Sequence, residues 1–376
     1  MAKTPKGVNI NASSPTKYRR LKERILTDLA AGRLKEGQAL ASEPVLATEA
    51  KVARNTVRQA LAELEREGIL RRVHGRGTFV CTERERKTRA QLNLFAVVLP
   101  EMHRDLYPIL VKGFDRGAAE ADFQVMVCNT DNDIHKQGNL ILQLIDKKVA
   151  GVVMVPPTRI PTPPHQLRQL RDHCIPVVFC HRRVRGASGP LVTWDWEVVG
   201  RRAGHALLDQ GHRRLAFFSL LRYPLAEAYE KGLRTALAES GMVLPEKHIH
   251  YGDYTAGIQD EESVRPALEQ MFKNPNPPTG IFCNDDTEAE LIYLTVRNMG
   301  LKVPADISIV GFGDRWRSGP VRQQLTSVTV DEHELGAKAA ELLAQMHAGR
   351  RPMDDEETIL MDLAMTPGKT LGPAKK

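Results

Sequence analysis

Apolar residues in the first quarter of the chain recur at helical spacing. After Pro15, Tyr18, Leu21, Ile25 and Leu29 fall at i, i+3, i+7 and i+11, on one face of a helix. Gly32 is placed to stop it. Ser42 stands as a cap before "EPVLATEAK", with Pro44 in the first turn where proline is tolerated, and predicts a second helix from Glu43 to about Ala50. A turn at Lys51 leads to a third helix capped by Asn55, with Val57, Leu61 and Leu64 as its buried stripe and Gly68 as its end. The period then changes. Ile69 and Leu70 open a strand, Gly75 and Gly77 let the tip of "ILRRVHGRGTFV" turn tightly, and Phe79-Val80 closes the pair.

From Leu92 the texture is different. "NLFAVVLP", "FQVMVCNT", "GVVMVPP", "IPVVFCH", "PLVTWD", "RRLAFFSL", "HIHYGDY", "GIFCNDD" and "ISIVGFGD" are short apolar runs separated by helical stretches. Continuous apolar strands between helices predict parallel sheets covered on both faces. About ten strands are too many for one sheet over one core, so two doubly wound lobes are expected. Between the two regions, "CTERERKTRAQ" is highly charged and without periodicity. It reads as a linker, the alternative being a short surface helix. The expected plan is a disordered tail at 1–14, a small helical domain with a β-ribbon at 15–82, a linker at 83–91, a two-lobed α/β domain at 92–368 and a second tail at 369–376.

Charge sharpens this picture. The 376 residues carry 53 Lys and Arg against 46 Asp and Glu, a net +7. Residues 1–90 alone hold 20 against 10, leaving 33 against 36 in the rest, so the basic surplus sits wholly in the first quarter. A localised surplus on a helix-turn-helix with a β-ribbon is the footprint of a partner with a phosphate backbone. In that arrangement, a winged helix, the third helix fits the DNA major groove and the ribbon tip reaches the minor groove or phosphates. Arg54, Asn55, Thr56 and Arg58 then form the reading end, and His74, Gly75 and Arg76 the wing tip. Arginine pairs bidentately with guanine, while Thr and Asn hold phosphates. The bland alternative is a helical hairpin with a surface ribbon.

The stretch "VARNTVRQALAELEREGILRRVHGRGTFV" resembles the DNA-binding head of GntR-type bacterial repressors over about residues 15–82. The resemblance implies DNA contacts at Arg54, Asn55, Thr56, Arg58, His74, Gly75 and Arg76, and a dimer on a two-fold DNA site. Two positions depart from the family. Ser42-Glu43-Pro44 stands where the pattern is Ser-Glu-Arg, which removes a phosphate contact. Lys51 stands where glycine is usual, so it is expected in a left-handed conformation or in a different turn, and it is a candidate replacement phosphate contact.

The α/β region invites the same question at its strand ends, because open α/β sheets bind ligands beyond the carboxyl ends of their strands. The polar residues there are Asn129-Thr130-Asp131, His181-Arg182-Arg183, Asp195, Asn284-Asp285-Asp286 and Gly313-Asp314, following Pro100 at the first strand. Tyr107, Trp194, Trp196, Tyr223 and Trp316 lie near them. Carboxylates, amides and arginines beside aromatic faces suit a polyhydroxylated ligand, although each residue taken singly is as well explained as a cap or turn. No phosphate loop, dinucleotide fingerprint or His/Cys metal spacing occurs, so no cofactor, no metal and no enzyme are expected. The five cysteines form no Cys-x-x-Cys pair, and no apolar run is long enough to span a bilayer. Free thiols in a cytoplasmic protein are the expectation.

"IPVVFCHRRV", "GHRRLAFFS", "TGIFCNDDTEAELIYLTVRNMGLKVPADISIVGFGD" and "LTSVTVDEHELGAKAAELLAQM" resemble the effector domain of LacI/GalR-type regulators, a fold shared with periplasmic sugar-binding proteins. The resemblance implies two lobes joined by three crossovers, a ligand in the cleft and a homodimer. Its cleft positions fall at Tyr107, His181, Tyr229, Asn284, Asp285 and Asp314, to which Arg182, Asp195 and Trp316 are added from the strand ends. Tyr229 stands where arginine is common, Gly313-Asp314 where Asp-Asp is usual, and His181 where aspartate is common. His181, Arg182 and Arg183 point to an acidic or modified sugar. A GntR-type head on a LacI-type sensor is the architecture of arabinose-responsive repressors, and implies a repressor released from DNA by a small carbohydrate-like effector. The competing readings are a sugar transport receptor, a GntR-type head on an aminotransferase-like domain, and a DNA-binder with a vestigial sensor cleft.

Overall fold

Helix α1 (Lys17–Ala30) presents Leu21 and Ile25 to helix α3 (Arg54–Arg66), which answers with Val57, Ala60, Leu61 and Leu64; all six are buried. Each large aliphatic side chain removed from water contributes about 1.5–3 kcal/mol, so this small cluster is the main support of the unit. Lys22 of α1 bonds to Glu63 of α3 at 3.2 Å and also to Glu67. The computed structural model describes residues 17–73, 77–82, 93–102, 106–158, 160–252 and 261–375. The chain divides into two compact units, Met1–Asn93 and Leu94–Lys376. The expected tail at 1–14, the linker at 83–91 and the wing tip His74, Gly75 and Arg76 lie outside the described residues.

In the first unit, helix α2 (Glu43–Ala50) connects to α3 through Lys51, whose φ of 51° and ψ of 47° are left-handed. The position where glycine is usual therefore keeps its backbone shape and puts a lysine into it, at a cost of about 1–2 kcal/mol. Ser42 holds the cap position of α2 with φ −62° and ψ 155°, but its side chain makes no cap hydrogen bond. Asn55 is not the cap of α3. That position belongs to Ala53, whose carbonyl accepts from the Thr56 and Val57 amides, so the first turn closes upstream of Asn55 and leaves its side chain exposed. Strands β1 (Leu70–Val73) and β2 (Gly77–Val80) pair antiparallel from Leu70–Val80 to Val73–Gly77.

The second unit holds two six-stranded sheets. In the first lobe β3 (Leu94–Leu99), β4 (Gln124–Asn129), β5 (Gly151–Met154), β6 (Val177–Cys180), β7 (Leu191–Thr193) and β13 (Thr358–Leu360) run parallel in the order 13-7-6-5-3-4. In the second, β8 (Leu215–Ser219), β9 (Ile249–Tyr251), β10 (Gly280–Cys283), β11 (Ser308–Asp314) and β12 (Thr326–Val330) are parallel, and β14 (Ala364–Thr366) adds antiparallel to β12, in the order 14-12-11-10-8-9. The chain passes between lobes after β7, after β12 and between β13 and β14, which makes three crossovers.

Two close helix pairs brace the lobes. Helix α4 (Leu106–Glu120) packs on α11 (Glu332–His347) in the first. Helix α7 (Trp196–Asp209) packs on α8 (Pro224–Glu239) in the second. A Cβ on Gly200 of α7 would fall 1.8 Å from the Tyr229 carbonyl oxygen, and one on Gly232 of α8 would fall 2.0 Å from that of Glu197. Only hydrogen at these two positions lets the backbones come that near.

Residues 369–375 are not a tail. Ile309 donates its amide to the Thr370 carbonyl at 2.8 Å, Thr370 Oγ1 donates to the Ile309 carbonyl at 2.7 Å, and the Gly372 carbonyl accepts from Ser308 Oγ at 3.3 Å. Thr370 is buried, and Lys375 reaches Asp306 at 2.7 Å. The segment carries too few apolar residues to announce itself, because it is held by backbone and hydroxyl hydrogen bonds. None of the five cysteines is in a disulfide, and Cys174 is exposed while the other four are buried.

Candidate functional site

In the first unit the exposed side of α3 is opposite its buried stripe. Arg54 and Arg58 are four residues apart, hence neighbours one turn apart on that side. Arg54, Asn55 and Arg58 are exposed and Thr56 is half-buried, while Ser42 and Lys51 are exposed at either end of α2. The sequence left Glu43 out of this group. Its carboxylate accepts from Arg58 Nε at 2.8 Å through one oxygen and from Arg72 Nη2 at 3.0 Å through the other. One acid thus joins α2, α3 and β1, and it aligns two arginines that remain 62% and 51% exposed. A charged pair with that much solvent adds little stability. Its effect is to restrict where the guanidinium groups point.

The second unit brings strand-end residues of both lobes, though not Asn129, Thr130 or Asp131, to one cleft. Tyr107, His181, Arg182, Tyr229, Asn284 and Asp285 line it, with Trp194 and Tyr223 from the aromatic residues near the strand ends and with Glu101 and Asn132, which the strand-end reading left out. An adjoining pocket is lined by Asp285, Asp314 and Trp316 together with Asp286, Arg317 and Arg322. Asp195 lines neither. It caps α7, accepting from the Val198 amide at 3.2 Å, and its absence from both linings, not the capping, sets it apart from Asp285 among the expected effector contacts. Trp316 is 68% exposed at the margin.

The floor of the cleft is aromatic and spans both lobes. Trp194 Nε1, at the end of β7, donates to the Tyr229 hydroxyl of α8 at 2.9 Å, and the Trp194 and Phe312 rings lie 5.1 Å apart. Burial pushes the Tyr229 hydroxyl well above its ordinary pKa, so it stays protonated. Tyr107 stacks on His181 at 5.8 Å. His181, with a left-handed φ of 66°, turns its Nε2 to Glu332, 2.9 Å away. Glu332 opens α11, and its amide donates to Asp314 Oδ2 at 2.8 Å. Asp314 also accepts from the Trp316 amide at 2.5 Å, and burial raises its pKa to about 6. Glu332 is therefore held by the second lobe through its backbone and by the first through its side chain.

The polar wall has its own order. Asn284 Nδ2 donates to the Tyr223 hydroxyl at 3.1 Å, and Asp285 caps α10 (Asp286–Asn298) by accepting from the Glu288 amide at 2.8 Å. Asn132 donates to Glu101 at 3.2 Å. Asp286 is buried, accepts from Ser327 Oγ at 2.5 Å, and burial lifts its pKa to about 7. Arg183 faces away from this wall, donating to the carbonyls of Gly189 at 2.5 Å and Glu356 at 2.9 Å. No cluster of His, Cys, Asp and Glu among the described residues has the makings of a metal site.

Residues 17–80 match the bacterial regulatory proteins of the gntR family, and residues 205–370 match the periplasmic binding protein-like domain. Over 253 residues the chain is 31% identical to catabolite control protein A of Priestia megaterium, covering 66% of this chain and 73% of that protein. The chain belongs to the LacI type of transcriptional regulator. Its gntR-family head sets it beside the arabinose metabolism transcriptional repressor of Geobacillus stearothermophilus, to which the regulator is 29% identical over 333 residues, 88% of this chain and 91% of that one. Among solved structures, the regulator CcpA of Lactococcus lactis superposes with a TM-score of 0.63 at 21% identity, over 74% of this chain and 99% of that one. A CelR–cellobiose complex superposes at 0.62 and 20%, over 95% and 100%. At these identities the likeness is one of fold. Membership in a regulator family sets aside the transport receptor and the aminotransferase fusion.

Proposed function

We propose that this regulator is a cytoplasmic repressor that binds operator DNA as a homodimer and releases it when a small polyhydroxylated effector fills the cleft. The exposed side of α3 is the DNA-reading surface. Arg54, Asn55, Thr56 and Arg58 face base edges and phosphates, with His74, Gly75 and Arg76 as the wing tip and Ser42 and Lys51 as backbone contacts. The observation that carries the effector half is the convergence of Arg182, Tyr223, Asn284 and Asp285 around one cleft whose walls come from both lobes. Hydroxyl groups would donate to the carboxylates and accept from the amide and phenol, over an aromatic floor that suits a sugar ring. Effector binding changes DNA affinity only if the two lobe arrangements bind it unequally. Glu332, tied to both lobes, is where such a difference would be felt.

The reading is supported by the relatives' names, which are those of sugar-linked repressors. No described helix is long and apolar enough to cross a membrane. Selection of bound DNA from a random pool, followed by competition with a panel of sugars and sugar acids, tests it. A palindromic site and loss of binding with one compound are expected. A site without two-fold symmetry would remove the dimer, and a cleft that binds none of the panel would leave a DNA-binder without a sensor.

A further inference from the structure

Three consecutive basic residues close β6, and the structure separates their roles. His181 is bonded to Glu332, and Arg183 is spent on backbone carbonyls. Arg182 is different. Its Nε and Nη2 atoms have essentially no exposed surface and no hydrogen-bond partner among the described residues, although the residue lines the cleft. Leaving a guanidinium edge both out of water and unmet is costly, and native structures keep such groups only with a reason. These two nitrogens form one edge of the guanidinium, and their N–H bonds run parallel. That fork matches the two oxygens of one carboxylate.

Resting on the reading of this cleft as the effector site, we infer that the effector is a sugar acid, a polyhydroxylated molecule whose single carboxylate uncovers this edge of Arg182 on entering and is then held side-on by it. The rest of the lining gives the other end of the molecule. Glu101 and Asp285 are carboxylates in the same wall, beside the Tyr223–Asn284 pair. They suit hydroxyl donors and penalise further negative charge. A dianionic phosphate facing two carboxylates with one guanidinium is the poorer fit, so the anion is a carboxylate. Orientation follows: the acid lies toward the end of β6, and the hydroxyl groups lie toward the start of α10.

The test uses the full chain, with thermal shift and calorimetry. The probes are D-glucuronate, D-galacturonate and D-gluconate, each against its neutral partner D-glucose or D-galactose, with D-glucose 6-phosphate as the phosphate arm. At least one acid is expected to bind roughly tenfold or more tighter than its neutral partner. Arg182→Gln is expected to remove that preference while leaving the unliganded melting temperature at or above that of the parent, since it deletes an unmet charge. Arg182→Lys keeps the charge without the fork and should recover little of the preference; it replaces the glutamine variant should that one fail to fold. Neutral sugars that bind as well as the acids, or acid binding untouched by both substitutions, would overturn the carboxylate assignment while the sugar cleft stands. Tighter binding of the phosphate would overturn it in favour of the other anion. Binding of no compound, neutral or charged, would overturn it together with the effector reading beneath it.

Discussion

His181 and Glu332 lie 2.9 Å apart, Nε2 to Oε2, with 3% and 0% of their side chains exposed, though 151 residues separate them along the chain. The pair joins the end of a first-lobe strand to the opening turn of the helix that returns from the second lobe. Removing either partner strands the other in a dry site. Glu332→Ala is expected to lower the unfolding free energy by about 1–3 kcal/mol, with Glu332→Gln milder because it keeps a hydrogen-bonding group. Urea unfolding with linear extrapolation measures both; equal and negligible losses would show that the contact does no stabilising.

Arg58 and Arg72 of the first unit are both held by one acid, Glu43. Arg58→Ala is expected to weaken binding to the selected operator by about 1–3 kcal/mol if the side chain reads a base. If it meets only phosphate, the loss is instead uniform across sequences and the salt dependence becomes shallower. Glu43→Gln, which frees Arg58 and Arg72 together, is expected to blur base preference more than it changes total affinity. Fluorescence anisotropy on the operator and on single-base variants distinguishes these results, and unchanged affinity for Arg58→Ala would take it off the interface.

Two buried aspartates give stability a pH dependence. Asp286 is pushed up to about 7 and Asp314 to about 6 by burial. In the unfolded chain an aspartate titrates near about 4, so between about pH 4 and pH 7 the folded state binds more protons. Stability from these groups is complete below that window and declines as pH rises through it. Asp286→Asn keeps an acceptor for Ser327 but cannot ionise, so its melting temperature should fall less than the parent's from about pH 5 to about pH 8. Parallel curves for the two proteins would remove Asp286 as the source.

The second lobe's helix pair leaves no room for a methyl group. Gly200→Ala is expected to cost about 1–3 kcal/mol or more, because the Tyr229 backbone must retreat. Tyr229 also faces the cleft, so effector affinity should fall with stability. Thermal melts with and without effector report both, and an unaltered melting temperature would mean that the helices separate freely.

Much of this architecture is legible in the chain because its strands and helices differ in period. Val57, Leu61 and Leu64 announce α3, and runs such as "GVVMV" announce strands buried on both faces. Strand β12 escaped because "TSVTV" alternates hydroxyl and apolar residues as a half-exposed strand does. Here the hydroxyls of Ser327 and Thr329 are buried and bonded to Asp286 and Thr366. Strands β13 and β14 are three residues each, too short to show a period. Within the cleft, composition located the polar strand ends but not their partners. His181, Arg182 and Arg183 look equivalent as letters, and only the fold spends two of them on internal contacts. Asp195 looked like a ligand group because caps and ligands draw on the same residue types at the same strand ends. Glu332 carried no signal, since its significance lies in a partner in the other lobe.

Both sheets of the second unit take an edge strand from beyond residue 357, and the second lobe is knitted further by Thr370 and Gly372. During synthesis, then, neither lobe has all its strands until the ribosome has passed these residues. The described elements of the first unit end at Val80 and are synthesised before any of them. A ribosome stalled inside the α/β region would therefore carry every element of the DNA reader and a sensor still short of an edge strand in each sheet.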